Sequence, residues 1–124
     1  MKNFIVIGAA LAFLSVALGA FGAHVLKERI GEHYLTIYQT GVQYQMFHSL
    51  GLMLIGLLAL TVCRAQTGLL QTAAMLLIAG VVLFSGSLYV LSITRINWLG
   101  AITPFGGVAF LAAWACVIAA VVKS

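Results

Sequence analysis

Four long apolar runs follow one another along the chain, and short polar or charged segments separate them. We predict membrane spans at about residues 4–23, 41–62, 69–91 and 99–122, because a membrane-crossing helix needs about 20 apolar residues. The segments between these runs are too short to hold a separate soluble domain. The pattern therefore predicts an all-α integral membrane protein in which residues 1–124 form one antiparallel four-helix bundle with short loops.

The second apolar run opens with the most polar stretch of the chain. Tyr44, Gln45 and His48 share one helix face with Gly41 at about 100° per residue. Polar groups at that depth need protein partners, because lipid offers none. Up-and-down threading brings the end of the first span, the start of the second, the end of the third and the start of the fourth to the same half of the membrane. We therefore predict a polar layer there, acting as a hydrogen-bonded network or as the lining of a ligand site, formed by His24, Tyr44, Gln45, His48, Ser85, Ser87, Tyr89 and Thr103.

Small residues mark the faces on which helices are expected to pack. Ser15, Gly19 and Ala23 recur at every fourth position of the first span, and this spacing lets two helix backbones come close in a bilayer. We favour packing within the bundle, and homo-oligomerisation is the alternative. Gly106 and Gly107 give similar room in the fourth span.

The single proline, Pro104, leaves two interpretations of the fourth helix. In the first, Thr103 caps the helix and Pro104 occupies its first position. In the second, the helix begins near Trp98 and kinks at Pro104. We favour the second, because residues 99–102 are too apolar for a water-exposed turn.

Composition and charge agree with a membrane protein. The chain is 64% hydrophobic and 6% charged, whereas soluble domains carry about 25% charged residues. The net charge is +4, but the basic residues stand singly near the ends of the runs, as membrane anchors do, and form no nucleic-acid patch. We expect membrane lipids around the protein and no nucleic-acid partner. A charged loop is predicted over residues 25–33.

The basic residues divide equally between the two sides of the predicted bundle. One side carries Lys2, Arg64 and Lys123, and the other carries Lys27, Arg29 and Arg95. The positive-inside rule therefore does not decide the orientation. As a working orientation, we place both termini in the cytoplasm.

Four motifs in order resemble those of a known family across nearly the whole chain. The motifs are Gly19-Ala20-Phe21-Gly22-Ala23-His24, then Gln39-Thr40-Gly41 with Tyr44-Gln45 and Phe47-His48, then Leu83 to Tyr89, then Thr103-Pro104 with Gly106-Gly107. They resemble the small bacterial inner-membrane proteins of the YgdD and YwdK type, a domain-of-unknown-function family with eukaryotic relatives. Members often have Gly before the tryptophan of the last span, where this chain has Ala113-Trp114. The resemblance implies a four-span inner-membrane protein and brings no established activity.

His48 is the main candidate for a functional residue. An ionisable group within a span is a functional candidate, yet no acid lies within any predicted span to form a relay with it. We favour a neutral imidazole that pairs with Ser85, Tyr89 or Thr103 and holds helices together. Haem ligation with His24 is disfavoured because the two depths differ, and neither residue has a metal-ligand partner at the third or fourth position, so no cofactor or metal is expected.

The function predicted from these observations is that of a non-enzymatic structural or interaction protein of the bacterial inner membrane. No aspartate exists in the chain, and Ser85 and Ser87 lack the strand-turn-helix elbow of a serine nucleophile. A small-molecule channel, a transporter or a lipid or quinone binder that uses the polar layer is the alternative. Proton-coupled cation export is disfavoured because no carboxylate lies in a span, and the ligand is unknown.

Overall fold

Helices account for nearly all of the chain in the computed structural model, which describes residues 1–124. There are five α-helices and no β-strand, so the all-α prediction is confirmed. The α-helices are α1 (Lys2–Phe21), α2 (Lys27–Leu60), α3 (Thr67–Gly80), α4 (Gly86–Thr94) and α5 (Thr103–Lys123). One-turn π-helices, Gly22–Leu26 and Val81–Ser85, join α1 to α2 and α3 to α4, and 3₁₀ turns, Arg64–Gln66 and Asn97–Ala101, precede α3 and α5.

Three helical segments are long and apolar enough to cross a membrane: Lys2–Leu60, Arg64–Thr94 and Asn97–Lys123. The predicted count of four such helices is not supported, because the chain stays helical from α1 through the π-turn into α2. The loop predicted over residues 25–33 is wrong for the same reason. The structure therefore shows an all-α protein with three long apolar helical segments.

The first of these segments is broken at Gly31. A straight helix of 59 residues would be about 90 Å long at 1.5 Å per residue, three times the thickness of a bilayer core. Gly31 has φ 79° and ψ 167°, a conformation that essentially only glycine adopts. The helix direction changes at this residue, and α1 then lies against the part of α2 that follows Gly31.

Small residues spaced seven apart form the α1 side of this contact. A carbon added at Gly8 would lie 2.6 Å from Met53 Cγ, and one added at Gly22 would overlap the Tyr38 ring. Ser15, midway between them, is 1% exposed. Partner numbers fall along α2 as residue numbers rise along α1, so the two helices are antiparallel. A seven-residue spacing is that of helices in left-handed coiled-coil packing.

The four-residue spacing read from the sequence holds for only part of α1. A carbon added at Gly19 would lie 3.4 Å from Val42 Cγ1, so Gly19 belongs to the contact. Ala23 is exposed. Gly22, seven residues after Ser15, lies against α2 in place of Ala23, as the seven-residue spacing of this contact requires.

The fourth predicted span begins differently from the interpretation we favour. The α-helix starts at Thr103, with Pro104 in its first turn, where the missing N–H of proline costs no hydrogen bond. A kinked α-helix starting near Trp98 is therefore wrong. The preceding apolar residues form a 3₁₀ turn whose backbone groups bond locally, with Ile102 N donating to Leu99 O at 3.0 Å.

The main core lies between α2, α3 and α5. Its largest fully buried aliphatic side chains are Leu52, Ile55, Leu70 and Leu77. Gly106 of α5 lies directly on the backbone of the second π-turn, because a carbon added there would be 2.5 Å from Phe84 N. These close approaches fix α5 beside the π-turn and position the aromatic side chains described below.

Candidate functional site

Gln45 of α2 stands at the centre of the polar layer. Its side chain is 3% exposed. Its Nε2 donates to the backbone oxygen of Leu11 in α1 at 2.9 Å, and its Oε1 accepts from the Tyr89 hydroxyl of α4 at 2.6 Å. One amide therefore joins three helices, because both its nitrogen and its oxygen are hydrogen-bonded.

Tyr38 supplies a second tie between α1 and α2. Its hydroxyl donates to the backbone oxygen of Leu18 at 2.5 Å, and its ring is tilted against that of Tyr89 at a centroid distance of 5.4 Å. Tyr38 is absent from the predicted layer because it precedes the apolar run. Its position seven residues before Gln45, and so on the same helix face, is the sequence signal that would have included it.

Two further hydrogen bonds join the remaining helices. Ser85, fully buried in the second π-turn, donates to the backbone oxygen of Gly41 at 2.7 Å. Ser87 Oγ of α4 lies 2.6 Å from Thr103 Oγ1 of α5, and either hydroxyl can donate. Neither bond shares an atom with the hydrogen bonds that Gln45 makes to Leu11 and Tyr89. The layer therefore consists of separate groups that together link α1, α2, α4 and α5, and it is not one continuous network.

His24 lies apart from the layer. It is exposed in the first π-turn, whose buried members are Gly22 and Leu26. The turn thus places the imidazole on the outer side of the helix. The structure does not bring His24 and His48 to a common site, and no cluster of three or more His, Cys, Asp or Glu side chains occurs.

His48 bonds differently from the predicted pairing. Its Nδ1 lies 2.8 Å from the backbone oxygen of Tyr44, one turn earlier in its own helix. Its ring stacks on Phe110 of α5 with centroids 3.6 Å apart and planes 10° apart. The predicted partners Ser85, Tyr89 and Thr103 bond to other groups, as described above.

The second ring nitrogen of His48 has no hydrogen-bond partner in the chain. The side chain is 7% exposed, and no fully buried side-chain nitrogen or oxygen lacks a partner in this structure. Nε2 is therefore an atom that reaches the surface. A carbonyl oxygen only accepts hydrogen bonds, so the Tyr44 contact assigns the proton of a neutral His48 ring to Nδ1 and leaves a lone pair on Nε2.

His48 lines a groove of about 420 Å³ between α2, the second π-turn and α5. Small-molecule sites are commonly mostly apolar clefts of about 300–1,000 Å³ with a few polar groups. The groove is open beside Gly107, because a carbon added there would meet nothing within 4 Å. The lining residues are Tyr44, His48, Phe84, Pro104, Gly107, Val108, Phe110, Leu111 and Trp114.

A larger depression of about 580 Å³ occurs on α3 and has a different character. All of its lining residues recur at helical spacing on one face of that single helix: Gly68, Gln71, Thr72, Met75, Leu76 and Ala79. No second element closes over it. We therefore take the groove at His48, and not this surface, as the candidate binding site.

The Gly31 break and the turn before α5 lie at the same end of the molecule. Arg95 Nη2 donates to the backbone oxygen of Ile30 at 3.4 Å, and its guanidinium lies 5.1 Å from the centre of the Tyr34 ring. The Tyr34 hydroxyl donates to Asn97 Oδ1 at 3.2 Å. These contacts hold the Gly31 break against the turn before α5, at the end of the molecule nearer the polar layer.

Comparison with known proteins agrees with an apolar helical membrane protein. A family model described as "Protein of unknown function (DUF423)" matches residues 18–107. The chain is 53% identical to the UPF0382 membrane protein YwdK of Bacillus subtilis over 123 residues, which cover 99% of this chain and 98% of that protein. It is 45% identical, over the same shares, to the UPF0382 membrane protein SH2409 of Staphylococcus haemolyticus. No solved structure matches the chain.

The matched range contains Gln45, Tyr89 and His48, and it ends at Gly107 in the wall of the groove. The family model thus spans all of α2 and α4, the end of α1 and the start of α5, and the relatives extend the likeness over 99% of the chain. The chain belongs to this DUF423 family of membrane proteins, whose biochemical activity is unknown.

Proposed function

We propose that the chain crosses the bacterial inner membrane four times as an antiparallel bundle, with both termini in the cytoplasm. The break at Gly31 supports this proposal, because it divides the segment Lys2–Leu60 into two antiparallel parts. Each part contains an apolar run of about 20 residues, the length of one crossing. The two remaining long segments supply one crossing each.

Labelling of single cysteines tests the number of crossings. Cys63 and Cys116 are first replaced by Ala, and a cysteine is then placed at Lys2, Glu28 or Ser124. With four crossings, Lys2→Cys and Ser124→Cys react with an impermeant reagent from the same side, and Glu28→Cys reacts from the other. Labelling of Lys2→Cys and Ser124→Cys from opposite sides would contradict the proposal.

The function that the geometry supports best is that of a non-enzymatic structural or interaction protein embedded in membrane lipid. The main observation behind this proposal is that the Gln45 amide forms hydrogen bonds within the chain at both its nitrogen and its oxygen, with the Leu11 backbone oxygen and the Tyr89 hydroxyl. Side chains whose polar atoms bond to their own chain hold helices together. Gly8, Ser15 and the rest of the seven-residue spacing pack within the chain, so self-association would need another surface.

Complementation of a deletion strain tests the structural role. In this role, Gln45→Leu lowers both the thermal stability of the purified protein and its amount in the membrane, and any phenotype falls in proportion to that amount. A variant of the polar layer that loses the phenotype at unchanged stability and amount would argue against it. Such a result would favour an activity carried by the altered side chain.

Small-molecule binding in the groove is a second candidate function, favoured by one specific observation. His48 Nε2 is the ring nitrogen left without a partner beside an aromatic groove open at Gly107. Polar atoms within a membrane are expected to have hydrogen-bond partners, and a bound molecule would supply one for His48 Nε2. Mass spectrometry of small molecules that copurify with the wild type and are lost in Gly107→Leu tests this function.

A further inference from the structure

We propose that the groove binds a hydroquinone, a planar ring whose hydroxyl group donates a hydrogen bond to His48 Nε2 and whose apolar tail extends into lipid. This inference rests on the second proposed function and names its ligand class. It concerns binding alone.

The requirement for a donor follows from the bonding of His48. The Tyr44 carbonyl oxygen fixes the proton on Nδ1, so Nε2 of the neutral ring only accepts. A protonated, positively charged His48 ring would need a carboxylate nearby to balance its charge. Glu32, the acid closest in sequence, lies about 24 Å away along α2 at 1.5 Å per residue. The groove therefore selects a ligand with an O–H or N–H group.

The requirement for a planar ring follows from the walls of the groove. Five of the nine lining residues are aromatic, namely Tyr44, His48, Phe84, Phe110 and Trp114. Aromatic rings favour stacked and edge-to-face contacts with other rings. The stack of His48 on Phe110, with planes 10° apart, holds the imidazole in one orientation.

The requirement for an apolar tail follows from the outer rim. Val108 and Leu111 of the lining are 63% and 73% exposed, so the groove opens onto an apolar surface. On the proposed bundle this surface faces lipid. A hydroquinone with an alkyl tail can therefore place its ring in the groove and its tail among acyl chains.

The test is equilibrium binding of radiolabelled decyl hydroquinone to the purified protein in nanodiscs. Its dimethyl ether and the corresponding quinone serve as competitors that lack the donor, and the glycerol monoester of a fatty acid serves as a competitor that lacks the ring. We expect the hydroquinone to bind about tenfold more tightly than the ether or the quinone, the effect of one neutral hydrogen bond, and more tightly than the monoester.

Three variants locate the interaction. His48→Phe keeps a ring against Phe110 and removes the acceptor, so it should bind the hydroquinone and its ether equally. Gly107→Leu fills the groove and should abolish binding of every probe, whereas Gly86→Leu, at another helical glycine with open space around it, should bind as the wild type does.

The outcomes separate this inference from the function on which it rests. If the ether binds the wild type as tightly as the hydroquinone does, or if the preference survives in His48→Phe, the assignment of the donor is wrong while groove binding stands. If the monoester binds as tightly as the hydroquinone, the assignment of the ring is wrong. If no probe binds, or if Gly107→Leu binds as Gly86→Leu does, the groove is not the site and both proposals fall.

Discussion

Several polar side chains in this protein bond to backbone oxygens of neighbouring helices, whereas most serine and threonine hydroxyls bond to a backbone oxygen of their own helix. Tyr38 reaches Leu18, Gln45 reaches Leu11, and Ser85 reaches Gly41. A backbone oxygen that already accepts a helical bond has a second lone pair to offer. Such bonds depend on the distance between helices, and small residues at the contact keep that distance short.

Replacing Gln45 by Leu is expected to lower the free energy of unfolding by about 1–3 kcal/mol. The variant loses two interhelical hydrogen bonds, and bonds of this kind average about 0.6 kcal/mol with a maximum of about 1.7 kcal/mol in membrane proteins. It also leaves the Tyr89 hydroxyl buried without its acceptor. Unfolding in mixed micelles measures the change. The matched variant is Gln43→Leu, at an exposed position two residues earlier, and it should change stability by less than about 0.5 kcal/mol. Equal losses in the two variants would show that the bridge contributes nothing specific.

At the scale of elements, the two π-turns and the break at Gly31 decide how the helices meet. The first π-turn leaves His24 exposed and buries Leu26, and the second places Ser85 against Gly41. A π-turn carries an extra residue relative to an α-helical turn, so it rotates every following side chain about the helix axis. Element boundaries in this fold therefore determine which faces make contact.

The adjacent glycines of α5 are expected to respond oppositely to alanine. Gly106→Ala would place a methyl group 2.5 Å from the backbone nitrogen of Phe84, and overpacking of this kind costs about 1–3 kcal/mol. Gly107→Ala meets nothing within 4 Å, and its gain in helix propensity stabilises by about 0.5–1 kcal/mol. Thermal unfolding in detergent compares the two variants. A loss of stability in Gly107→Ala equal to that in Gly106→Ala would contradict the close approach of α5 to the π-turn.

Gly31→Ala is expected to destabilise the protein by about 1–3 kcal/mol. The φ of 79° and ψ of 167° at this position are strained for any residue with a side chain. Nothing lies within 4 Å of an added carbon, so the loss would come from the backbone alone. Gly68→Ala, at a glycine in the first turn of α3 that is equally open, is the control and should not lower stability. Unfolding monitored by circular dichroism measures both, and a neutral Gly31→Ala would mean that the break tolerates ordinary helix geometry.

At the scale of the whole molecule, the antiparallel contact of α1 with α2 distinguishes packing within one chain from packing between chains. Gly19 and Val42 face each other across this contact, with 3.4 Å between an added carbon and Val42 Cγ1. The sulfur of a cysteine at position 42 can take the place of Val42 Cγ1, so cysteines at the two positions are close enough to be tested by cross-linking.

Gly19→Cys combined with Val42→Cys, in a chain with Cys63 and Cys116 replaced by Ala, is expected to form a disulfide within one chain. Oxidation should then shift the mobility of the monomer in a non-reducing gel, because the closed loop makes the denatured chain more compact. Ala20→Cys with Val42→Cys, which moves one thiol to an exposed position, should not cross-link. A reducible band of twice the mass would assign the contact to two copies of the chain.

Much of the candidate layer could be predicted from the sequence because polarity inside an apolar run is a local signal. Gln45, Tyr89, Ser87 and Thr103 were all found by their position along the runs and by threading the runs up and down. Their pairing with one another was not readable, since it depends on the rotation of each helix about its axis. The aromatic wall formed by Phe110 and Trp114 could not be predicted for the same reason, whereas Tyr38 was missed because it precedes the apolar run.

The sequence by itself determined that the chain is helical and apolar enough to enter a membrane, because hydrophobic content and run length are sums over local residues. Only the tertiary structure decided that helix continues from α1 into α2 and breaks at Gly31. It also decided that α5 begins at Thr103, and that His48 lines a groove with only one ring nitrogen hydrogen-bonded. These features depend on which helix faces meet, and that is set by packing between distant residues and by the extra residue in each π-turn.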